Sequence, residues 1–266
     1  DIINVIYYSA LLGYDNVCKH LTVEELNHFL SEVCIVTAEN AETPLWLASQ
    51  NGNLKIVDYF VRSGVDINCV NTFGETPLYV ASGNGHEKVV EYLATVGADI
   101  DCPNDDGWTP LHMASLNGNV NIVEYLATVG AKISRPNIDG CTPLHLAALK
   151  GNLKVVEYLA IVGAKINRPS KEGLTPLHMA SFNGNEKVVE YLATVGAKIN
   201  RPSKEGLTPL HMASFNGHKK VVEYLATLDA EINRADNDGR TPLHIATANG
   251  HEKVVEYLTT VGAEIN

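Results

Sequence analysis

The sequence predicts an all-α solenoid, a stack of helix-turn-helix units with projecting β-hairpin-like loops. Three observations predict it. Thr-Pro-Leu recurs seven times, at Thr43, Thr76, Thr109, Thr142, Thr175, Thr208 and Thr241, always 33 residues after the last. A fixed period of this length marks one supersecondary unit copied and stacked. Within a copy the apolar residues follow helical spacing, and glycines punctuate it at constant phase. A stacked array has no single deep core cavity, and its working surface is the long face built from equivalent positions of successive copies.

In chain order, residues 1–33 form a worn copy, in which Gly13 to Leu21 tracks Gly52 to Phe60. The spacing on to Thr43 is six residues too long, and the extra length holds Thr22-Val23-Glu24-Glu25. That pattern is a capping box, and Leu26, Phe29, Leu30 and Val33 follow at helical spacing. A degenerate N-terminal capping repeat with an extra helix is expected here, since terminal repeats are atypical. Regular copies follow at 34–66, 67–99, 100–132, 133–165, 166–198, 199–231 and 232–266, as one continuous solenoid.

The copy around Thr109 shows why each element forms. Asp106-Gly107 is a turn, with glycine supplying positive φ. Thr109 suits an N-cap, its hydroxyl accepting from an orphan amide, and Pro110 suits the first helical position, where a missing N–H costs nothing. A first helix is expected from Pro110 to about Leu116, ended by Asn117-Gly118. A second is expected from about Val120 to Thr128, with Ile122, Val123 and Leu126 as its apolar stripe and Asn121 and Glu124 in water. Gly130 ends it. In later copies Glu-Lys-Val-Val-Glu-Tyr-Leu reads as a solvated outer helix with an i,i+3 Lys–Glu contact.

This 33-residue unit with T-P-L-H-x-A resembles the ankyrin repeat. His follows T-P-L at His112, His145, His178, His211 and His244, and Gly-Ala closes the second helix at Gly97, Gly130, Gly163, Gly196 and Gly262. The resemblance covers 34–266. Trp46 and Tyr79 replace His in the first two copies, Gly64-Val65 replaces Gly-Ala, and Asp229-Ala230 lacks the glycine, which weakens the expected helix end there. The resemblance implies that Thr109, Thr142, Thr175, Thr208 and Thr241, with their histidines, are structural. His86, His218 and His251, at the helix-connecting turn, are implied to be structural too. It also implies partner docking on the hairpin tips and the inner faces of the first helices.

Composition narrows function further. Net charge is −11, which argues against a nucleic-acid binder, because phosphate neutralisation needs clustered Lys and Arg. No apolar run approaches the roughly 20 residues that span a bilayer, and Asp1-Ile2-Ile3-Asn4 shows no signal peptide. The missing Met and the bare last helix, with Val254, Val255 and Leu258 as in interior copies, suggest a piece of a longer protein. Five scattered cysteines (Cys18, Cys34, Cys69, Cys102, Cys141), none in C-x-x-C, fit a reduced intracellular, cytoplasmic setting. No nucleophile, metal or phosphate-loop motif is present, so no enzyme, metal or cofactor is expected.

The side chains flanking each motif vary, and they are the candidate site. The residues before Thr-Pro-Leu and after Ala-Ser or Ala-Ala are Trp108 with Leu116, Cys141 with Leu149, Leu174 with Phe182, and Leu207 with Phe215. Outer copies are polar or mixed there (Glu42 with Gln50, Glu75 with Gly83, Arg240 with Ala248). These side chains either form an exposed apolar band or pack between repeats; contiguous exposed apolar area marks an interaction site. The expectation is a non-catalytic scaffold that grips another protein or peptide. Trp108, Leu116, Leu149, Leu174, Phe182, Leu207 and Phe215 would be its anchors, with Arg168 and Arg201 at the rim. The alternative is a structural spacer, spring or self-associating segment of a longer array in a membrane-cytoskeleton adaptor or channel-type parent. As a fragment the chain is expected to be a monomer.

Charge along the loops is uneven. Early tips carry Glu39, Glu42, Asp99, Asp101, Asp105 and Asp106, and the seventh carries Glu231, Asp236 and Asp238. The fifth and sixth carry Lys165, Arg168, Lys171 and Lys198, Arg201, Lys204. This stripe either steers an acidic peptide or reflects duplication, since 164–196 and 197–229 differ at only four positions. Asn68 and Asn233 stand in contexts similar to hydroxylated ankyrin-repeat asparagines.

Overall fold

Each Thr-Pro-Leu starts a helix because three local effects coincide there. Thr76 is extended (φ −85°, ψ 163°), its Oγ accepts the Tyr79 N–H at 3.1 Å, and Pro77 takes the first helical position. The threonine thus satisfies one of the amides a helix start leaves without a partner. The computed structural model describes residues 42–264. The worn copy over 1–33, its capping box and its extra helix lie outside the described residues, as do Glu39, Cys18 and Cys34.

The chain divides into two compact units, Asp1–Lys132 and Ile133–Asn266. The first contains α1 (Pro44–Gln50), α2 (Leu54–Arg62), α3 (Pro77–Asn84), α4 (Glu87–Thr95), α5 (Pro110–Asn117) and α6 (Val120–Thr128). The second contains α7 (Pro143–Lys150), α8 (Leu153–Ile161), α9 (Pro176–Phe182), α10 (Glu186–Thr194), α11 (Pro209–Phe215), α12 (Lys219–Thr227), α13 (Pro242–Ala248) and α14 (Glu252–Thr260). Helix α5 runs one residue past its expected end, and α6 has its expected bounds. There is no strand among the described residues.

Within each unit the first helices of successive copies pack side by side, and the second helices cover them. The two kinds bury different amounts of themselves. Helix α9 buries Pro176, Leu177, His178, Ala180 and Ser181, whereas α10 buries only Val188, Val189 and Leu192. A first helix is walled on several sides, so it is apolar almost all round; a second helix keeps one wet face. Lys and Glu on that wet face pair at Lys219–Glu223, an i,i+4 contact of 3.3 Å, and between copies at Lys220–Glu186, also 3.3 Å. Lys219 stands where the Glu-Lys-Val-Val-Glu copies have Glu, so this i,i+4 pair belongs to its copy alone, and the expected i,i+3 Lys–Glu contact is not among the ion pairs of the described residues.

The projecting loops are tight turns joined by single backbone bonds. Ser170 N–H donates to Leu174 O at 2.7 Å and Gly173 N–H to Ser170 O at 3.0 Å. Successive tips then link through Lys171 N–H to Asp139 O (2.7 Å), Lys204 N–H to Glu172 O (2.9 Å) and Asn237 N–H to Glu205 O (3.0 Å). The helix end at Asp229 survives its missing glycine. Asp229 itself takes the left-handed conformation, with φ 57°.

Candidate functional site

The motif histidines His145, His178 and His211 are fixed at both ring nitrogens. In α9, His178 Nδ1 accepts the Thr175 backbone N–H at 3.0 Å and lies 2.8 Å from its hydroxyl. Nε2 is then the protonated nitrogen and donates to Leu207 O in the next copy at 3.1 Å. His145 to Leu174 O (3.1 Å) and His211 to Arg240 O (3.2 Å) repeat the arrangement. Burial holds the His145 and His178 imidazoles neutral, their pKa values pushed down to about 4, and lowers that of His211 as well. No imidazole so arranged is open to ligate a metal or move a proton. Among the described residues no group of three or more His, Cys, Asp or Glu could hold a metal ion.

The helix-connecting turns make a second set of bonds between copies. His86 Nε2 reaches Gln50 O at 2.7 Å, His218 reaches Phe182 O at 2.9 Å and His251 reaches Phe215 O at 2.8 Å. Asn185 Nδ2 does the same to Ala148 O at 2.9 Å. These carbonyls belong to the last turn of the preceding first helix, where no intrahelical donor remains. Asn68 Oδ1 accepts Asp99 N–H and Asn233 Oδ1 accepts Glu264 N–H, each at 2.9 Å. Both side-chain amides are therefore occupied in joining one loop to the next.

What these bonds leave over is the varied band. In the unit spanning residues 1–132, Trp108 and Leu116 are half-buried, and the Trp108 ring leans on His112 with centroids 6.3 Å apart. In the unit spanning 133–266, Leu149, Leu174 and Leu207 are half-buried. Phe182 and Phe215 stack with centroids 6.3 Å apart and planes 18° from parallel, yet stay 39% and 48% exposed. Both sequence-level alternatives therefore hold in part: the leucines pack between copies, and the two phenylalanines pack on each other while facing solvent. Burial raises the Cys141 thiol to about 11, so it stays protonated.

A cavity of about 360 Å³ opens beside this pair. Phe182, Leu207, Met212, Phe215, Ile245 and Ala248 form its apolar walls, and Glu205 and Arg240 also line it. Three of the residues expected from sequence, Phe182, Leu207 and Phe215, meet there. Met212, Ile245 and Glu205 went unread, because their phase within the copy marks them as motif neighbours rather than band members, whereas Arg240 and Ala248 sit at band phase in an outer copy. Arg201 is half-buried and donates from Nη1 to Asn167 O at 3.1 Å, and Arg168 is half-buried too. Part of the guanidinium capacity expected at the rim thus braces adjoining loops.

Among the described residues no helix is long and apolar enough to cross a membrane. No curated protein matches the chain. A family model described as ankyrin repeats (3 copies) matches residues 6–104, 45–137, 94–170, 133–203, 161–236 and 177–266. With overlapping matches from residue 6 to residue 266 over stacked helix pairs, the chain belongs to the ankyrin-repeat family.

Proposed function

We propose that the chain is a non-catalytic protein-binding scaffold that holds a protein or peptide partner on its concave face and loop tips. Ankyrin repeats are in general protein–protein interaction modules. The observation that carries the finer reading is the stacked, exposed Phe182–Phe215 pair beside an apolar cavity. Aromatic side chains presented beside a pocket are the groups that dominate interface energies. Leu207 lines the cavity beside that pair. Leu149 and Leu174, half-buried at the equivalent positions of neighbouring copies, extend the apolar band, Arg168 and Arg201 stand in the adjoining loops, and Trp108 with Leu116 offers a second apolar contact in the other unit. The threonine–histidine pairs hold the copies together and do not select the partner.

The test is the double variant Phe182→Ala, Phe215→Ala in a calorimetric titration with the co-purifying partner. Truncation of central aromatic anchors costs about 2 kcal/mol or more each, so affinity falls by well over tenfold. Unchanged affinity places the partner elsewhere. Sedimentation velocity of the same sample separates this function from self-association, which shows as a mass that rises with concentration.

A further inference from the structure

The loops beside the cavity carry a lopsided charge. Loops 165–174 and 198–207 each hold three cations (Lys165, Arg168, Lys171; Lys198, Arg201, Lys204) against a single carboxylate, Glu172 or Glu205. Lys165, Lys171, Lys198 and Lys204 are exposed, and none takes part in an ion pair among the described residues. The next loop, 231–240, is different. Its arginines are held by its own acids, Arg234 by Glu231 at 2.7 Å and Arg240 by Asp236 at 2.8 Å and Asp238 at 2.9 Å. Uncompensated positive charge therefore borders the cavity on the Lys204 side and is neutralised on the Arg240 side. Lys204 sits in the same loop as Glu205 and Leu207, which line the cavity, and its backbone is bonded to the loop that bears Lys171.

We propose that this face, read as the partner-docking surface above, takes an acidic-flanked peptide. One large apolar side chain enters the cavity, and Asp or Glu residues lie over the loops of Lys171 and Lys204. A volume of about 360 Å³ is near the lower end for ligand pockets, which suits one bulky side chain better than a cofactor. The lysines attract carboxylates by charge and set the peptide's direction, because the far loop offers no free cation. Packed helices stand about 10 Å apart, and an extended chain advances about 3.3 Å per residue. The carboxylates then fall about three and six residues from the anchor, on one side only.

The experiment pans the intact chain against a random-peptide phage library and titrates the recovered peptides, fluorescein-labelled, by anisotropy. The expected consensus is an aromatic or large aliphatic residue with acids about three to six positions to one side. Lys171→Glu with Lys204→Glu weakens such peptides by about tenfold at low salt, and the difference shrinks at high salt. Phe215→Ser weakens them by about tenfold or more. All three positions are exposed, and circular dichroism melts check that the variants fold. Peptides without acids that ignore the lysine reversals but lose affinity with Phe215→Ser overturn the acidic chemistry while leaving the concave-face reading intact. Peptides indifferent both to Phe215→Ser and to the lysine reversals overturn both. Acid-rich peptides that need the lysines and not Phe215 reveal a plain polyanion patch and overturn the proposal, as does recovery of no peptide.

Discussion

Asp229 stands where the two preceding copies have Gly163 and Gly196, and it adopts φ 57° where they adopt 91°. A left-handed conformation costs an L-residue roughly 1–2 kcal/mol, less for Asp because its short polar side chain bonds locally. Asp229→Gly should therefore raise stability by about 0.5–1 kcal/mol, read as a shift in the urea midpoint; a lower midpoint sinks the argument. The sequence showed the missing glycine but not the outcome. Whether a chain re-routes or accepts strain depends on what surrounds it. Here Ala230 is buried and its N–H reaches Leu225 O at 3.3 Å, which holds the turn in register.

At the scale of elements, helix starts and stops were legible because their causes are local. Thr, Pro and Gly act within four residues, so α6 could be bounded from its own sequence. The loops were less legible, since each is braced by a backbone bond to the neighbouring loop 32 residues away. Gly173 shows this. It has φ 81°, and a Cβ there would lie 2.8 Å from the Lys204 backbone nitrogen in the next loop. Gly163, by contrast, would bring its Cβ near nothing within 4 Å. Gly173→Ala should cost more than Gly163→Ala, by about 1–2 kcal/mol, because backbone cannot move aside as a side chain can. Equal losses in parallel denaturations would mean that the loops give way independently.

At the scale of the molecule, stacking makes stability depend on pH through buried imidazoles. The pKa values of folded His145 and His178 lie at about 4, and that of His211 is lowered too. The unfolded chain takes up these protons near pH 6.5, whereas the folded chain refuses them. Their stabilisation is therefore fully present above pH 6.5 and is lost as pH falls from there toward 4. Each imidazole contributes at most about 1.4 kcal/mol per pH unit within that window. Urea midpoints should drop steadily between pH 6.5 and about 4.5, measured in high salt so that self-repulsion of the −11 net charge is screened. A flat midpoint would show that the histidines become solvated before the copies separate.

Period, helix type, caps and turns were determined by the sequence alone, because each arises from residues close along the chain. The band was also visible there as a set of positions: Leu174, Phe182, Leu207 and Phe215 break an otherwise constant motif. Tertiary structure alone decided which of them face solvent. It buried the leucines by half, left the stacked phenylalanines open and set Met212 and Ile245 opposite them. It also gave His178 its second partner, the Leu207 carbonyl 29 residues ahead. The physical reason is distance along the chain. Propensity and capping act within a turn, whereas exposure and pocket shape depend on what the next copy brings alongside.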